Sequence, residues 1–303
     1  MKHGIFHVLL LCSTAFSANA ADGDITAPEI HKAVVEMAAE IEQVRYIIGR
    51  PQIDYRKYVV EDTQPRHLYS VAQSTFARVN QLAGDLAGAQ RRDMPPAPLE
   101  EISLQDVMSM VNQVRGQLQL VKRALGIDAP VAEARLDRRA DLNDALLVLG
   151  DAGRQMNVVV GRNIQWQTFY DQVELAMTYV AGALPEADRY PPLPPLEPGK
   201  SAPDIFTMID QVRTIASEVA SKHDVAILRS SVPNEKATLP KLTELEAYDL
   251  MTIVLADLAE LTLAMEAPDV DRPPYPRPQN IVGSHIDQLL SGLYLQLEYL
   301  AGE

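Results

Sequence analysis

Apolar residues recur along this chain at the three- and four-residue spacing of amphipathic helices. The clearest stripe joins Leu104, Val107, Val111, Val114 and Leu118, and a similar stripe of Ile, Met and Val residues runs over 205–215. Such stripes are typical of helices that pack against other helices. Strand alternation is confined to 57–60, which is too short to build a sheet. The pattern predicts eight helices, at about 27–49, 67–88, 104–126, 142–161, 168–184, 202–222, 244–265 and 285–301.

Most of these helices are predicted to begin with one short motif, a Ser or Thr followed three residues later by an acid. In this capping box, each side chain satisfies a backbone N–H that the helix leaves unpaired. Pro28 and Pro203 stand inside two of the first turns, where a missing N–H costs nothing. The six predicted boxes are Thr26/Glu29, Ser103/Asp106, Thr168/Asp171, Ser201/Asp204, Thr243/Glu246 and Ser284/Asp287.

Two further elements recur and indicate internal duplication. Residues 106–115 align without a gap to residues 204–213, and 36–45 is a fainter copy. An Arg followed closely by a Pro-Pro-x-Pro tract occurs at Arg92, Arg189 and Arg272. Because one such unit cannot bury its apolar face alone, units must stack on their neighbours. We therefore expect an all-α fold of repeated helical hairpins, stacked as a short solenoid or a bundle and joined by Pro-rich connectors.

The repeats divide the chain into five predicted segments. Residues 1–20 form a signal peptide, and 21–91 form the first helical repeat unit. Residues 92–188 form the second unit with one extra helix, and 189–271 form the third. Residues 272–303 supply a Pro-rich connector and a final helix that caps the array.

The signal peptide is predicted from its charge, apolar core and cleavage site. Lys2 supplies the positive charge, residues 5–12 form a short apolar stretch, and Ala18-Asn19-Ala20 is a small-x-small site. We expect cleavage after Ala20 and a periplasmic or secreted protein. Cys12, the single cysteine, would leave with this segment, so we expect no disulfides. No second long apolar run follows, so no transmembrane anchor is expected after cleavage.

Composition narrows the classes of partner. Hydrophobic residues make up 47% of the chain, which is enough for a sizeable core. The chain carries 27 Lys and Arg against 41 Asp and Glu, so its formal net charge is −14. An acidic protein of this kind repels phosphate, and we therefore expect no nucleic-acid partner.

The aligned repeats carry the first candidate binding residues. Gln113 and Arg115 close one copy, and Gln211 and Arg213 occupy the same positions in the other. One interpretation is a repeated polar patch that binds a protein partner. The alternative is a packing and surface pattern that duplication preserved, since Gln and Arg pair readily at helical spacing.

Aromatic residues outside the predicted helices supply the other candidates. Tyr55, Arg56 and Tyr58 bring cations and rings together, which suits an anionic or aromatic partner, or else seals the end of the first hairpin. Tyr275 lies in the third Pro tract, which is either a polyproline II recognition strip or a stiff spacer between helices.

No catalytic, metal or cofactor site is predicted. The mature histidines have no ligand partner at a spacing that shares a helix face, and no Gly-x-Ser-x-Gly or phosphate-binding loop occurs. We therefore expect no metal and no cofactor.

Three functions remain open, in a stated order. The first is a non-catalytic scaffold or adaptor that binds a protein partner, because repeat arrays build extended binding surfaces. The alternative is a carrier or sensor module that holds a small apolar ligand between helices. Met108, Met110, Met208, Met251 and Met265 would suit such a pocket. The third is an enzyme, which would need His67 or His223 beside paired carboxylates in a cleft.

Overall fold

Eight α-helices and two short strands make up the fold. The structure is a computed structural model and describes residues 25–52, 59–93, 101–161, 166–231, 243–271 and 273–302. In chain order the elements are α1 (Ala27–Ile48), β1 (Val59–Glu61), α2 (Pro65–Ala87), α3 (Leu104–Ala124), α4 (Leu142–Val160), α5 (Trp166–Gly182), α6 (Ala202–Lys222), β2 (Arg229–Ser231), α7 (Glu244–Ala264) and α8 (Gly283–Gly302). The all-α prediction is confirmed, and each helix begins and ends within two residues of its expected bounds.

The helices pack as two groups of four, each around its own apolar centre. In bundle 1 (α1–α4), α1 and α2 lie diagonally opposite each other, and each packs against α3 and α4. In bundle 2 (α5–α8), α5 and α6 lie opposite each other, and each packs against α7 and α8. Met37, Phe76 and Leu118 are fully buried in the first core, as are Phe169 and Met251 in the second.

This arrangement does not confirm the stacking of repeated hairpins. Within the described residues, α1 makes no contact with α2, and α3 makes none with α4, because each pair occupies a diagonal of bundle 1. The third predicted unit differs, since α6 does pack against α7. The duplication in the sequence therefore extends to helices without producing the same helix pair each time.

Capping explains where several helices begin. The predicted boxes at Thr26, Ser103, Ser201 and Thr243 are all present. At α3, the Ser103 backbone N–H donates to the Asp106 carboxylate at 2.9 Å, and the Asp106 N–H donates back to the Ser103 hydroxyl at 3.2 Å. These reciprocal bonds satisfy donors that the first turn would otherwise leave unpaired.

Two predicted boxes are wrong, and two real ones use other residue types. Thr168 and Ser284 lie inside their helices, because α5 begins at Trp166 and α8 at Gly283. The boxes that sequence reasoning missed have a carboxylate or an amide at the N-cap in place of a hydroxyl. They are Asp141/Asp144 at α4 and Gln64/His67 at α2.

The two bundles meet along one helix pair and one short ladder. Helix α2 of bundle 1 packs against α7 of bundle 2, and β1 pairs antiparallel with β2 with Val59 opposite Ser231. Leu228, which comes just before β2, belongs to the buried core of bundle 1 although the chain reaches it from α6. Ile253 of α7 packs against that same core.

The predicted signal peptide, residues 1–20, lies outside the described residues. None of the helices that the structure describes combines the length and the apolar character needed to cross a membrane.

Candidate functional site

Ion pairs fix how α2 and α7 lie against each other at the seam between the bundles. Arg66 Nε lies 2.9 Å from Glu260 Oε2, and Arg78 Nη2 lies 2.8 Å from Asp249 Oδ1. Because the numbers rise on α2 as they fall on α7, the helices run antiparallel. The Arg78 guanidinium also lies 5.9 Å from the centre of the Tyr248 ring, within cation–π range.

A buried imidazole and carboxylate join the seam close to the start of α2. His67 Nδ1 accepts a hydrogen bond from the Gln64 backbone N–H at 2.9 Å, so Nε2 carries the ring proton. Nε2 then donates to Asp257 Oδ1 at 2.8 Å, and the Leu228 N–H donates to the same oxygen at 3.0 Å. The side chains of His67 and Asp257 are only 3% and 1% exposed. One carboxylate therefore ties together α2, α7 and the segment before β2.

An apolar chamber opens between the bundles beside this seam. Its volume is about 140 Å³, and its walls come from both bundles. Side chains of α2 and α4 face side chains of α6 and α7 across it, and Val60 and Leu228 border it at the ladder. Its main apolar lining consists of Val71, Leu146, Leu147, Phe206, Leu250 and Ile253. We call this space the inner chamber.

The charges around the inner chamber are already matched within the protein. Arg78 pairs with Asp249, and Arg154 pairs with Asp151. Glu246 accepts bonds from the Thr243 backbone N–H and hydroxyl at 2.8 and 2.9 Å as part of the α7 capping box. Matched charges offer an incoming ligand no strong electrostatic attraction. The chamber is therefore suited to an apolar group.

Two glycines of α4 keep the chamber wall close and open. Gly153 lies against α2, where an added Cβ atom would approach Thr75 Oγ1 to 3.2 Å. Gly150 lines the chamber itself, and an added Cβ there would meet only the Arg154 guanidinium, at 3.7 Å. A larger side chain at position 150 would therefore enter the chamber without disturbing the helix packing.

A wider and more polar space adjoins the inner chamber. This outer chamber has a volume of about 610 Å³ and lies between α6 and the β1–β2 ladder. Asp210, Arg213 and Leu228 border both chambers, so the two are continuous. Thr214, Ser217 and Ser221 of α6 line the outer chamber, together with Arg229 of β2.

Arg115, one of the predicted site residues, holds bundle 1 together. Its two terminal nitrogens lie 3.0 Å from Glu36 and 3.1 Å from Glu40, both on α1. Gln113, half-buried, lies on the same helix, away from the cleft between the bundles. The equivalent residues on α6 have other surroundings, since Gln211 is exposed and Arg213 borders both chambers. The repeated positions are therefore not presented alike.

Tyr275 packs against the Pro tract that follows α5. Its hydroxyl donates to the Pro191 carbonyl at 2.6 Å, and its ring meets that of Tyr190 edge to face with centroids 6.3 Å apart. Burial raises the pKa of the Tyr275 phenol to about 12. This residue is engaged within the chain. Tyr55, Arg56 and Tyr58 lie outside the described residues.

Sequence reasoning missed most of the cleft lining. Phe206 is a large apolar residue of α6 that lies next to, and not on, the stripe facing the core. An apolar residue off the packing stripe is a signal for a second contact surface, and it was available from the sequence. The five methionines proposed for a pocket line neither chamber and lie in or against the bundle cores.

The described residues show no grouping of three His, Cys, Asp or Glu side chains that could hold a metal ion. His67 has a single carboxylate beside it, behind the cleft, and His223 is exposed at the end of α6. The site that the fold builds is therefore a two-chamber cleft with an apolar inner end.

No protein-family model matches this chain, and no match was found among the curated proteins or the solved structures.

Proposed function

We propose that this protein is a non-catalytic carrier or sensor module that binds a small apolar ligand in the cleft between its two helix bundles. The observation that supports this function best is the inner chamber, an apolar space of about 140 Å³ whose neighbouring charges are paired. A cavity of roughly 150 Å³ lined by aliphatic side chains is known to hold benzene. Ligand sites also occur preferentially where two packed units meet.

The scaffold function stays a prediction with less support. It rests on repeated residues that a partner would meet in the same way, whereas Arg115 pairs with α1 and Arg213 borders the cleft. We further propose that the protein acts in the periplasm or outside the cell, after removal of residues 1–20. The mass of the mature protein from its native host tests that location.

Binding of toluene to the mature protein, followed by saturation-transfer NMR, tests the ligand function. Toluene should bind to the unmodified chain, and Gly150→Leu should weaken binding by at least about tenfold because leucine would occupy the inner chamber. Gly116→Leu is the matched control, since Gly116 lies in α3 with nothing within 4 Å of an added Cβ.

Both substitutions replace a helical glycine, so both should maintain or raise helix stability. No saturation transfer to toluene in the unmodified protein would overturn the proposed function. Equal binding by Gly150→Leu would overturn the assignment of the site. Native mass spectrometry of protein from its host should then reveal a small molecule on the monomer, whereas a stoichiometric protein in its place would favour the scaffold.

A further inference from the structure

The outer chamber is polar, but neither sign of charge dominates its wall. Arg213 and Arg229 face it together with Glu61, Asp210 and Glu218. Arg229 already lies 2.5 Å from Asp62 and 3.4 Å from Glu61. A ligand group with a full charge would meet a like charge on this wall, so the chamber favours an uncharged polar group.

A row of hydroxyls runs along the α6 side of this chamber. Thr214, Ser217 and Ser221 follow each other at spacings of three and four residues, which places them on one helix face. Thr214 Oγ1 donates to the Asp210 carbonyl at 2.8 Å, and Ser221 Oγ donates to the Glu218 carbonyl at 2.7 Å. Since these hydrogens are used within the helix, both oxygens face the chamber as acceptors.

The wall of the outer chamber is therefore rich in hydrogen-bond acceptors. Three carboxylates and at least two hydroxyl oxygens border it, while arginine donors come from two side chains. A group with several O–H donors and no net charge complements such a wall. Sugar-like polyols have this chemistry, and a space of about 610 Å³ accommodates a group of their size.

From the continuity of the two chambers we infer that the ligand is an uncharged amphiphile, with one ring-sized apolar group in the inner chamber and a hydroxyl-bearing polar group in the outer chamber. This inference rests on the proposed function, because it assigns the apolar end of the ligand to the inner chamber. An aryl glycoside represents the class. The polar part adds hydrogen bonds that toluene cannot make, so it should raise affinity.

The inference is tested by titrating the mature protein with phenyl glucoside, toluene, glucose and benzoate in ligand-observed NMR. Phenyl glucoside should bind at least about tenfold more tightly than toluene, as expected for two added hydrogen bonds. Benzoate, with its full negative charge, should bind more weakly than phenyl glucoside. Glucose alone should show no binding at the concentration that saturates the glucoside.

Thr214→Val removes one of the acceptors and keeps the shape of the side chain. It should weaken phenyl glucoside binding by about fivefold and leave toluene binding unchanged. Thr207→Val is the matched control on the same helix, because Thr207 is also exposed and its hydroxyl also donates to the carbonyl four residues earlier, at 2.8 Å. It lines neither chamber and should change nothing.

The outcomes separate this inference from the proposed function. Toluene binding without any gain for phenyl glucoside, or a gain for benzoate over the glucoside, would overturn the inference and leave the apolar site standing. Binding of glucose alone as tight as that of phenyl glucoside would overturn both, as would failure of toluene and phenyl glucoside to bind. Equal losses in Thr214→Val and Thr207→Val would overturn the role of the hydroxyl row.

Discussion

His67 serves two parts of the molecule with one imidazole ring. Nδ1 takes the place of an acidic oxygen in the capping box of α2, while Nε2–H reaches across the seam to Asp257. The positive end of a helix disfavours a charged imidazole, and the acceptor role at Nδ1 keeps the ring neutral. His285 makes the same bond at α8, where its Nδ1 accepts from the Val282 N–H at 3.2 Å in an exposed setting.

Replacing Asp257 should destabilise the protein strongly. Asp257→Leu would leave the His67 Nε2–H and the Leu228 N–H buried without an acceptor, and each unsatisfied donor costs about 1–3 kcal/mol. We expect the free energy of unfolding to fall by about 3 kcal/mol in urea denaturation followed by circular dichroism.

Asp151→Ala is the control for this experiment. Asp151 pairs with Arg154 on the same helix, and its side chain is 60% exposed. Its removal should change stability by no more than about 0.5 kcal/mol. A loss below about 1 kcal/mol in Asp257→Leu would show that the buried bond contributes little.

At the scale of one element, a helix in this protein begins where a capping residue allows it to begin. Ser103 starts α3 by exchanging hydrogen bonds with Asp106. The Ser103 hydroxyl and then its backbone N–H lower the pKa of Asp106 from its ordinary 3.8. Thr168 was predicted to cap α5 in the same way, but it is an exposed residue inside that helix.

Ser103→Ala and Thr168→Ala should therefore differ in their effects on stability. The first removes a real N-cap and should lower the free energy of unfolding by about 1 kcal/mol. The second replaces an exposed helical threonine by a better helix former and should leave stability unchanged or slightly higher. Urea denaturation of both variants measures the difference, and equal losses would show that the box at Ser103 does not matter.

The same box predicts a dependence on acid. A carboxyl whose pKa is lower in the folded than in the unfolded state stabilises fully above its unfolded pKa, and this contribution is lost as pH falls through its folded pKa. The Asp106 contribution should therefore disappear below about pH 3.8. In Ser103→Ala, NMR titration should find the Asp106 pKa closer to 3.8. An unchanged Asp106 titration would contradict this cause.

Much of each element could be predicted from sequence, because the signals are local. The apolar stripe and the box at Ser103 lie within one stretch of chain, so the bounds of α3 follow from them. The diagonal placement of α1 and α2 does not follow, since it depends on which distant helices fill the space between them. The cleft was missed for the same reason, because Val71, Leu146 and Ile253 become neighbours only when the two bundles meet.

At the scale of the whole molecule, the two bundles are coupled through few elements. Helices α2 and α7 and the β1–β2 ladder join them, and Leu228 fills a place in the core of bundle 1 from the side of bundle 2. Leu228 is only 3% exposed. Loss of this side chain should therefore affect the bundle that does not contain it in sequence.

Leu228→Ala should lower the stability of bundle 1 by about 2–4 kcal/mol, the usual cost of such a cavity. Hydrogen exchange followed by mass spectrometry should show faster exchange in α1–α4 and at the α2–α7 seam, with little change in α5 and α8. Leu86→Ala is the control, because Leu86 is 44% exposed on α2. Faster exchange confined to bundle 2 would contradict this coupling.

The position of Leu228 also bears on the order in which the chain folds as it is made. Residues 27–160 contain all four helices of bundle 1, so that half can collapse while the second half is still being synthesised. Its core stays incomplete until residue 228 has emerged, and the acceptor for His67 arrives only with Asp257. During that interval the nascent first half exposes an apolar notch, which is the kind of surface that chaperones bind and that the finished protein no longer shows.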